Sequence, residues 1–173
     1  MQVLLRDYPR DTWPENPNFA RSIQNWMGAH QGFRQLAHLC VAETQRFIDR
    51  ENEETDYADR LGYFGNMLVR NLHGHHHWED HSFFPELSEA DARFDPGIEV
   101  LESDHETLDA TLDTFTRASN RVIKLIHLDP KQARDEIAKV ENAASTIDAL
   151  LKRHLADEED LVVPIILHHK LRG

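Results

Sequence analysis

Apolar residues recur at every third or fourth position through four long segments of this 173-residue chain. That spacing places them on one face of an α-helix and is typical of helices that pack in a bundle. Between the segments there is no alternating apolar and polar run of the kind that forms a strand. The predicted helices cover about residues 18–50, 55–84, 97–128 and 130–160.

The connections between these segments are short, and short connections favour antiparallel neighbours. The sequence therefore predicts an all-α fold, an up-down-up-down antiparallel four-helix bundle over about residues 18–160, within a single domain of residues 1–173. Three prolines within residues 1–17 predict an irregular N-terminal arm. Because Pro164 interrupts the last apolar segment, we expect residues 161–173 to form a short C-terminal helical tail.

Composition argues against nucleic acid and membranes as partners. Lys and Arg number 19 and Asp and Glu number 31, a formal net charge of −12 that would repel a phosphate backbone. The longest apolar run, Leu161 to Leu167, is too short to span a bilayer. A single cysteine, Cys40, cannot form an internal disulfide, which favours a reducing, cytoplasmic location.

One polar level interrupts the apolar faces of all four predicted helices. Each helix carries a histidine there: His30, His75, His105 and His154. The first and third helices reach this level soon after they begin, and the second and fourth reach it shortly before they end. At about 1.5 Å per residue, all four histidines lie roughly 12–18 Å from the same end of an antiparallel bundle. We therefore expect the four imidazoles to converge.

Two of these histidines begin motifs of identical spacing. In both motifs a glutamate follows the histidine by four residues and a proline follows it by ten: His75, Glu79 and Pro85, and His154, Glu158 and Pro164. A separation of four residues places histidine and glutamate on one helix face. Two buried carboxylates without a cation would each cost several kcal/mol or have to be protonated. A hydrogen-bonded network of the same groups is the alternative, but networks of that size are uncommon in a small core.

The donor types indicate which metal such a site would take. Imidazole and carboxylate suit first-row transition metals, and no cysteine lies at this level to form a structural zinc site. Six protein donors are too many for one catalytic ion, but they suit two ions that each bind two histidines and share both glutamates. We expect two iron ions with an oxo or hydroxo bridge, and favour manganese and zinc less. Such a pair leaves room for an exogenous ligand.

The sequence resembles the hemerythrin-like family of HHE cation-binding domains over about residues 20–168. Four segments carry the resemblance: GAHQGFR around His30, HHHWEDHSFFP from His75, ESDHETL around His105 and RHLADEEDLVVP around His154. The resemblance implies a non-haem di-iron site. It also implies a protein that binds oxygen, senses oxygen or iron, handles nitric oxide or peroxide, or repairs iron–sulfur clusters.

Two positions differ from the oxygen-carrying members of that family. Those proteins have a second histidine four residues after the third-helix ligand, where this chain has Asp109, and an aspartate five residues after the last histidine, where it has Glu159. On a helix, the fourth residue after His154 stays in line with it and the fifth points away, so we predict Glu158 as the ligand. Four histidines and two glutamates are more similar to the stress-response and repair members.

Other polar residues near the motifs are predicted to lie outside the ligand set. Glu102 and Asp109 are candidates for accepting a hydrogen bond from a ligating imidazole, and Asp109 is alternatively a candidate for completing one ion. His76 and His77 are substitute ligands if the helix register shifts by one residue. The histidines expected on the outer face or behind the ligands are His73, His76, His77 and His81.

The remaining residues near the motifs are expected to be core or solvated surface. Cys40 is predicted to be an inert, buried thiol. The acidic runs Glu51–Glu54 and Asp157–Asp160 are predicted to be solvated, apart from Glu158. Several apolar side chains are expected to pack in the core and to form a dry pocket suited to a small apolar gas: Trp26, Phe33, Leu72, Leu101, Leu108 and Leu151.

These predictions favour a non-haem di-iron protein that binds or reduces a small oxidant, such as oxygen, nitric oxide or peroxide, in a stress-response or sensing role. The reactivity would reside on the metal ions, and no side chain outside the ligand set is identified as a general acid or base. Iron storage, donation or sensing, in which metal occupancy controls a protein partner, is the alternative. A purely structural helical bundle is the third reading.

Overall fold

The computed structural model describes residues 2–172, with side chains from Leu4 onward, and these residues are almost entirely helical and contain no β-strand. Met1 and Gly173, the ends of the predicted arm and tail, lie outside the described residues. The α-helices are α1 (Gln2–Asp7), α2 (Arg21–Ile48), α3 (Glu54–Trp78), α4 (Phe84–Ala90), α5 (Asp95–Leu128) and α6 (Pro130–His169). A 3-10 turn covers Arg10–Glu15, a π turn covers Glu79–Phe83, and a second 3-10 turn covers Ala92–Phe94.

The four predicted helices correspond to α2, α3, α5 and α6, which confirms the all-α helical bundle. Local signals set the start of α6. The backbone N–H of Gln132 donates to Oδ1 of Asp129 at 3.2 Å, and Pro130 takes the first helical position. An aspartate cap followed by proline satisfies an amide that the first turn would otherwise leave without an acceptor.

Two compact units divide the long helices between them. The first unit comprises Met1–Gly32, His75–His105 and Lys152–Gly173, and the second comprises Phe33–Gly74 and Glu106–Leu151. The first unit therefore contains the N-terminal parts of α2 and α5 and the C-terminal parts of α3 and α6. That alternation is the order expected of an up-down-up-down arrangement.

The first unit has an apolar core that surrounds its polar residues. The fully or nearly fully buried members of this core come from α1, the first 3-10 turn, α2, the π turn, α4, α5 and α6: Leu4, Trp13, Ile23, Trp26, Phe83, Phe84, Leu87, Ile98, Leu101, Leu161, Val162, Val163, Ile165, Ile166 and Leu167.

The second unit has an aromatic and aliphatic core of its own. The rings of Phe47 and Tyr57 stack with centroids 4.4 Å apart, and both side chains are buried completely. A Cβ at Gly65 would lie 3.1 Å from the ring of Phe115, a tight contact, so α3 and α5 approach each other closely here. Cys40 is 1% exposed, and burial raises the pKa of its thiol to about 12, as expected of an unreactive cysteine.

The N-terminal segment is more regular than its prolines predict. Residues 2–7 form α1, and residues 10–15 form a 3-10 turn that accommodates Pro14. Trp13 explains this order, because its side chain is only 2% exposed and its indole Nε1 donates to the carbonyl of Tyr8 at 2.7 Å. Burial of a tryptophan holds a segment that local propensity alone would leave irregular.

Helix α6 also differs from the prediction, because it continues through Pro164 to His169, and no separate tail helix follows it in the described residues up to 172. All residues from Leu161 to Leu167 are buried. A helix that is apolar on every side is stabilised by burial, and here that burial outweighs the backbone hydrogen bond that proline cannot make. Over residues 2–172, no helix combines the length and hydropathy needed to cross a bilayer.

Candidate metal centre

All six predicted ligands lie in the first unit, and the structure brings them together. They come from four helices and the π turn: His30 from α2, His75 from α3, Glu79 from the start of the π turn, His105 from α5, and His154 and Glu158 from α6. Five of the six are at most 2% exposed, and the side chain of His75 is 10% exposed. The site is therefore a polar cluster enclosed by the apolar core of this unit.

The four imidazoles form two pairs of similar geometry. The Nε2 atoms of His30 and His75 lie 3.1 Å apart, and so do the Nε2 atoms of His105 and His154. The rings cross steeply in both pairs, at 90° in the first and 68° in the second. Each pair therefore points two ring nitrogens at a common position from different directions.

The two carboxylates lie between the imidazole pairs. Oε1 of Glu79 is 2.9 Å from Nε2 of His75, and its Oε2 is 3.6 Å from Nε2 of His105. Oε2 of Glu158 is 3.5 Å from Nε2 of His30 and 3.8 Å from Nε2 of His154. Each carboxylate thus faces one imidazole of each pair, an arrangement that allows both to bridge two cations.

A change of helix type occurs at Glu79. Helix α3 ends at Trp78, and the π turn that begins at Glu79 leads into α4, whose second residue is Pro85. Nδ1 of His81 donates to the carbonyl of His77 at 2.9 Å, so a side chain supplements the backbone hydrogen bonding where the helix changes. Single π turns within helices occur frequently at functional sites.

The two glutamates have opposite protonation tendencies. Burial alone would raise the pKa of Glu79, but the hydrogen bond and charge of His75 and the indole N–H of Trp26 outweigh it and lower the pKa to about 2. That indole nitrogen, Nε1, donates to Oε1 of Glu79 at 2.7 Å. Complete burial, followed by the negative charge of Glu79, raises the pKa of Glu158 well above its usual range.

The residues fit a pair of cations. Among the described residues, neither oxygen of Glu158 nor Oε2 of Glu79 has a hydrogen-bond partner, although all three atoms are buried. Buried acceptors without partners are costly, and a cation would satisfy them. Burial also lowers the pKa of His30, and lowers that of His154 to about 3, which keeps both imidazoles in the neutral form that binds metals.

Three further carboxylates orient the imidazoles from behind. In three of the four imidazoles, Nδ1 donates to an acid on a neighbouring element: His30 to Glu159 at 3.0 Å, His105 to Asp80 at 2.7 Å, and His154 to Asp104 at 3.4 Å. A carboxylate that accepts from Nδ1 fixes the tautomer in which Nε2 carries the lone pair. All three Nε2 atoms face the site.

These outer carboxylates correct several sequence predictions. Glu159 was expected to be solvated, but it is 3% exposed because it pairs with His30 and with Arg10, whose Nη1 lies 2.8 Å away. Asp80 and Asp104, rather than Glu102, accept from the imidazoles. Asp109 is 41% exposed in the second unit, where it pairs with Nδ1 of His73 at 3.2 Å.

His76 is buried within the first unit, so of the two positions predicted for it, the outer face and the region behind the ligands, the structure shows the second. It is 1% exposed, and its ring stacks on that of His105 with centroids 4.0 Å apart and an angle of 11°. Its ring nitrogens come near enough to those of His105 and His154 to form a candidate three-histidine cluster. The parallel stacking distinguishes His76 from the steeply crossed pairs. His77 and His81 are exposed, as predicted.

The predicted core residues are all buried, at 0–7% exposure: Trp26, Phe33, Leu72, Leu101, Leu108 and Leu151. Only Trp26 and Leu101 belong to the same unit as the site, and Trp26 packs against His30 with ring centroids 4.2 Å apart. The pocket predicted from these six residues remains a prediction.

A family model described as the hemerythrin HHE cation-binding domain matches residues 21–166. This range contains all six clustered side chains and the three carboxylates that orient the imidazoles. No curated protein and no solved structure matches the chain. Because the family model covers most of the chain and the buried cluster supplies its cation-binding residue types, the chain belongs to the hemerythrin HHE cation-binding domain family.

Proposed function

We propose that this chain is a non-haem di-iron protein that binds or reduces a small oxidant, with oxygen, nitric oxide and peroxide as the candidates. One observation carries the proposal: two buried carboxylates each face one member of two crossed imidazole pairs. His30 and His75 would hold one ion, His105 and His154 the other, and both glutamates would lie between the ions. The sequence resemblance to stress-response and repair members favours a role of that kind.

The donor set favours iron. Two imidazoles and two carboxylates per ion are the hard and intermediate donors that suit iron, and they leave positions open for an exogenous ligand. A bound pair of iron ions would supply redox chemistry and affinity for small oxidants. The chain itself favours the neutral form of His30 and His154, orients three imidazoles through outer carboxylates, and keeps bulk water out of the site.

The surroundings favour a small ligand over a large substrate. The proposed ligands are almost fully buried. A cavity of about 20 Å³ is lined by three aromatic, two aliphatic and two polar residues: Trp26, Trp78, Phe83, Ile23, Ile166, Ser22 and Arg172. A cavity of this size holds one molecule about the size of water. Trp26 forms one wall of this cavity and also donates to Glu79, so the cavity and the site share a side chain.

Metal content and reactivity test the proposal together. We expect freshly purified protein to carry two iron ions per chain and to show the charge-transfer absorption of a bridged ferric pair. Iron-loaded protein prepared without oxygen should then change its spectrum on exposure to at least one of oxygen, nitric oxide and peroxide. A stable new spectrum would favour binding or sensing, and repeated turnover would favour an enzyme. A chain that retains no iron, or is inert to all three oxidants, would contradict the proposal.

A second function, iron storage, donation or sensing through a protein partner, is favoured by a different observation. The carboxylate atoms without partners make the first unit costly to fold without a cation, so metal occupancy should control its stability. We expect removal of the metal to lower the melting temperature and to enlarge the hydrodynamic radius. If both were unchanged, this second function would be excluded.

A further inference from the structure

We infer that Arg10 is a positioning residue for the metal centre, and that residues 8–16, here named the N-terminal strap, dock more firmly when the centre holds metal. The inference rests on the proposed metal binding and adds a route by which the centre can be regulated. The strap precedes the residues matched by the family model, which begin at residue 21.

All three guanidinium nitrogens of Arg10 donate hydrogen bonds to one turn of α6. Its Nε donates to Oδ1 of Asp160 at 2.5 Å, its Nη1 to Oε2 of Glu159 at 2.8 Å, and its Nη2 to the carbonyl of Ala156 at 2.9 Å. The fork of donors that arginine provides matches several acceptors at once, which a lysine ammonium cannot reproduce with the same directions.

Glu159 connects Arg10 to the proposed ligand His30. Its Oε2 accepts from Arg10, and its Oε1 lies 3.0 Å from Nδ1 of His30. The carboxylate is thereby held in one orientation, and it fixes His30 in the tautomer that presents the Nε2 lone pair to the site. Arg10 does not reach the centre and acts on it through Glu159 and His30.

The strap is anchored by more than Arg10. Trp13 is 2% exposed and belongs to the apolar core of the first unit. Within the strap, its indole donates to the carbonyl of Tyr8, and the Arg10 guanidinium carbon lies 5.2 Å from the centre of its ring. Burial of Trp13 holds the strap on the first unit, and the internal contacts order it, so Arg10 is presented to Glu159 by an ordered segment.

A second arginine in the same unit also contacts an imidazole through a carboxylate, but it belongs to a bundle helix and the strap does not. Nη2 of Arg153 donates to Oδ1 of Asp104 at 2.7 Å, and Oδ2 of Asp104 lies 3.4 Å from Nδ1 of His154. That arginine belongs to α6, inside the family match, whereas Arg10 is supplied from outside it. A segment that lies outside the long bundle helices is therefore linked to one of the two imidazole pairs.

Linkage requires the effect to be mutual. If docking of the strap tightens metal binding by some factor, metal binding must tighten docking of the strap by the same factor. Both directions are measurable. Removal of an interaction that orients a ligating imidazole lowers metal affinity by about 10–100-fold in metalloproteins generally.

Metal loss to excess EDTA, followed on iron-loaded protein by absorbance and metal analysis, tests the first direction. We expect Arg10→Gln to lose metal about 10-fold faster than the unaltered chain, Arg10→Lys to fall between them, and Glu159→Gln to behave like Arg10→Gln. Arg6→Gln is the matched control, because the Arg6 side chain is 81% exposed and lies on the neighbouring helix α1. It should lose metal at the unaltered rate.

Hydrogen exchange of backbone amides in the strap tests the reverse direction. In the unaltered chain, exchange over residues 8–16 should accelerate when the metal is removed, and in Glu159→Gln this dependence on metal should disappear. Glu159→Gln keeps the size of the side chain and leaves Trp13 in place, so it carries the test even if Arg10→Gln fails to fold. Two results together would overturn the inference and leave the proposed function intact. They are equal rates of metal loss in Glu159→Gln and the Arg6→Gln control, and amide exchange over residues 8–16 of the unaltered chain that is the same with and without metal. An unaltered chain that binds no metal would overturn both.

Discussion

The two His-x-x-x-Glu motifs have the same spacing and different surroundings. On α3, the helix changes to a π turn at Glu79, and this carboxylate accepts a hydrogen bond from Trp26. On α6, the helix continues without interruption past Glu158 and through Pro164. Among the described residues, neither oxygen of Glu158 has a hydrogen-bond partner. Identical sequence signals therefore produce two different carboxylates.

This difference indicates which of the two carboxylates is ionised and oriented before a metal binds. Hydrogen bonding lowers the pKa of Glu79 to about 2, so its anionic form is favoured at neutral pH, and burial raises the pKa of Glu158 well above its usual range, which favours its neutral form when no cation is bound. We therefore expect Glu79 to be ionised and oriented before metal binds, and Glu158 to become an anion when it binds. On this interpretation the α3 motif organises the site and the α6 motif responds to the metal.

The largest expected effect comes from breaking both motifs together. Replacement of His75 and His154 by alanine in one protein removes one imidazole from each crossed pair, so we expect metal content to fall from two ions per chain to almost none. Metal analysis after gel filtration measures the loss. His77→Ala is the control, because His77 is an exposed histidine of the same helix. Undiminished metal in the double variant would show that these imidazoles are not ligands.

In metal-free protein, glutamine substitutions at Glu79 and Glu158 should change the free energy of unfolding by different amounts. Glu79→Gln removes a charge that His75 and Trp26 stabilise, so we expect the free energy of unfolding to fall by about 1–3 kcal/mol. Glu158→Gln replaces a neutral acid by a neutral amide of the same shape, so we expect a change within about 0.5 kcal/mol. Urea denaturation of EDTA-treated protein at neutral pH measures both, and both variants should bind metal poorly. Equal destabilisation would contradict the contrast drawn between the two carboxylates.

A smaller effect is expected from the indole of Trp26, which donates a hydrogen bond to Glu79 of the α3 motif and has no counterpart at Glu158 of the α6 motif. Trp26→Phe keeps an aromatic ring beside His30 and Phe83 but removes the donor to Glu79. We expect a loss of about 1 kcal/mol in metal-free protein, the usual net value of one hydrogen bond. Trp78→Phe is the matched control, because Trp78 is 37% exposed and stacks on Phe83. If the two variants were equally stable, the Trp26 hydrogen bond would contribute nothing to the difference between the motifs.

Helix geometry explains why so much of the bundle and site could be predicted. A rise of about 1.5 Å per residue and a face that repeats every 3.6 residues relate sequence distance directly to position. The convergence of His30, His75, His105 and His154 follows from that relation and from alternating helix direction. The continuity of α6 and the order of the N-terminal segment could not be predicted in this way, because both depend on burial against residues distant in sequence.

The outer carboxylates could not be predicted because they act across helices. Asp80 follows Glu79 on the chain but orients His105 of α5, Asp104 precedes His105 but orients His154 of α6, and Glu159 follows Glu158 but orients His30 of α2. Each lies beside a proposed ligand in sequence and supports the proposed ligand of another helix. Such adjacency is a usable signal, but the direction in which each side chain reaches depends on which helix is its neighbour.

His76 is the last difference between the motifs, since the residue after the histidine is His76 on α3 and the fully buried Leu155 on α6. An imidazole binds a metal in the plane of its ring, and two rings stacked 4.0 Å apart at 11° do not share such a direction. We therefore expect His76→Leu, which makes the α3 motif match the α6 motif, to keep the full metal content. Because the substitution replaces a buried polar ring by an apolar side chain, the free energy of unfolding should change by about 1–3 kcal/mol.

Metal analysis and urea denaturation of this variant, with Leu155→Met as the control on α6, decide the role of His76. Leu155→Met is a volume-conserving change at the corresponding position and should leave metal content unaltered. Loss of one ion in His76→Leu alone would identify His76 as a third imidazole on the ion of His105 and His154. The two ions would then differ in their donors, and the difference between the motifs would extend from the carboxylates to the coordination of the metal itself.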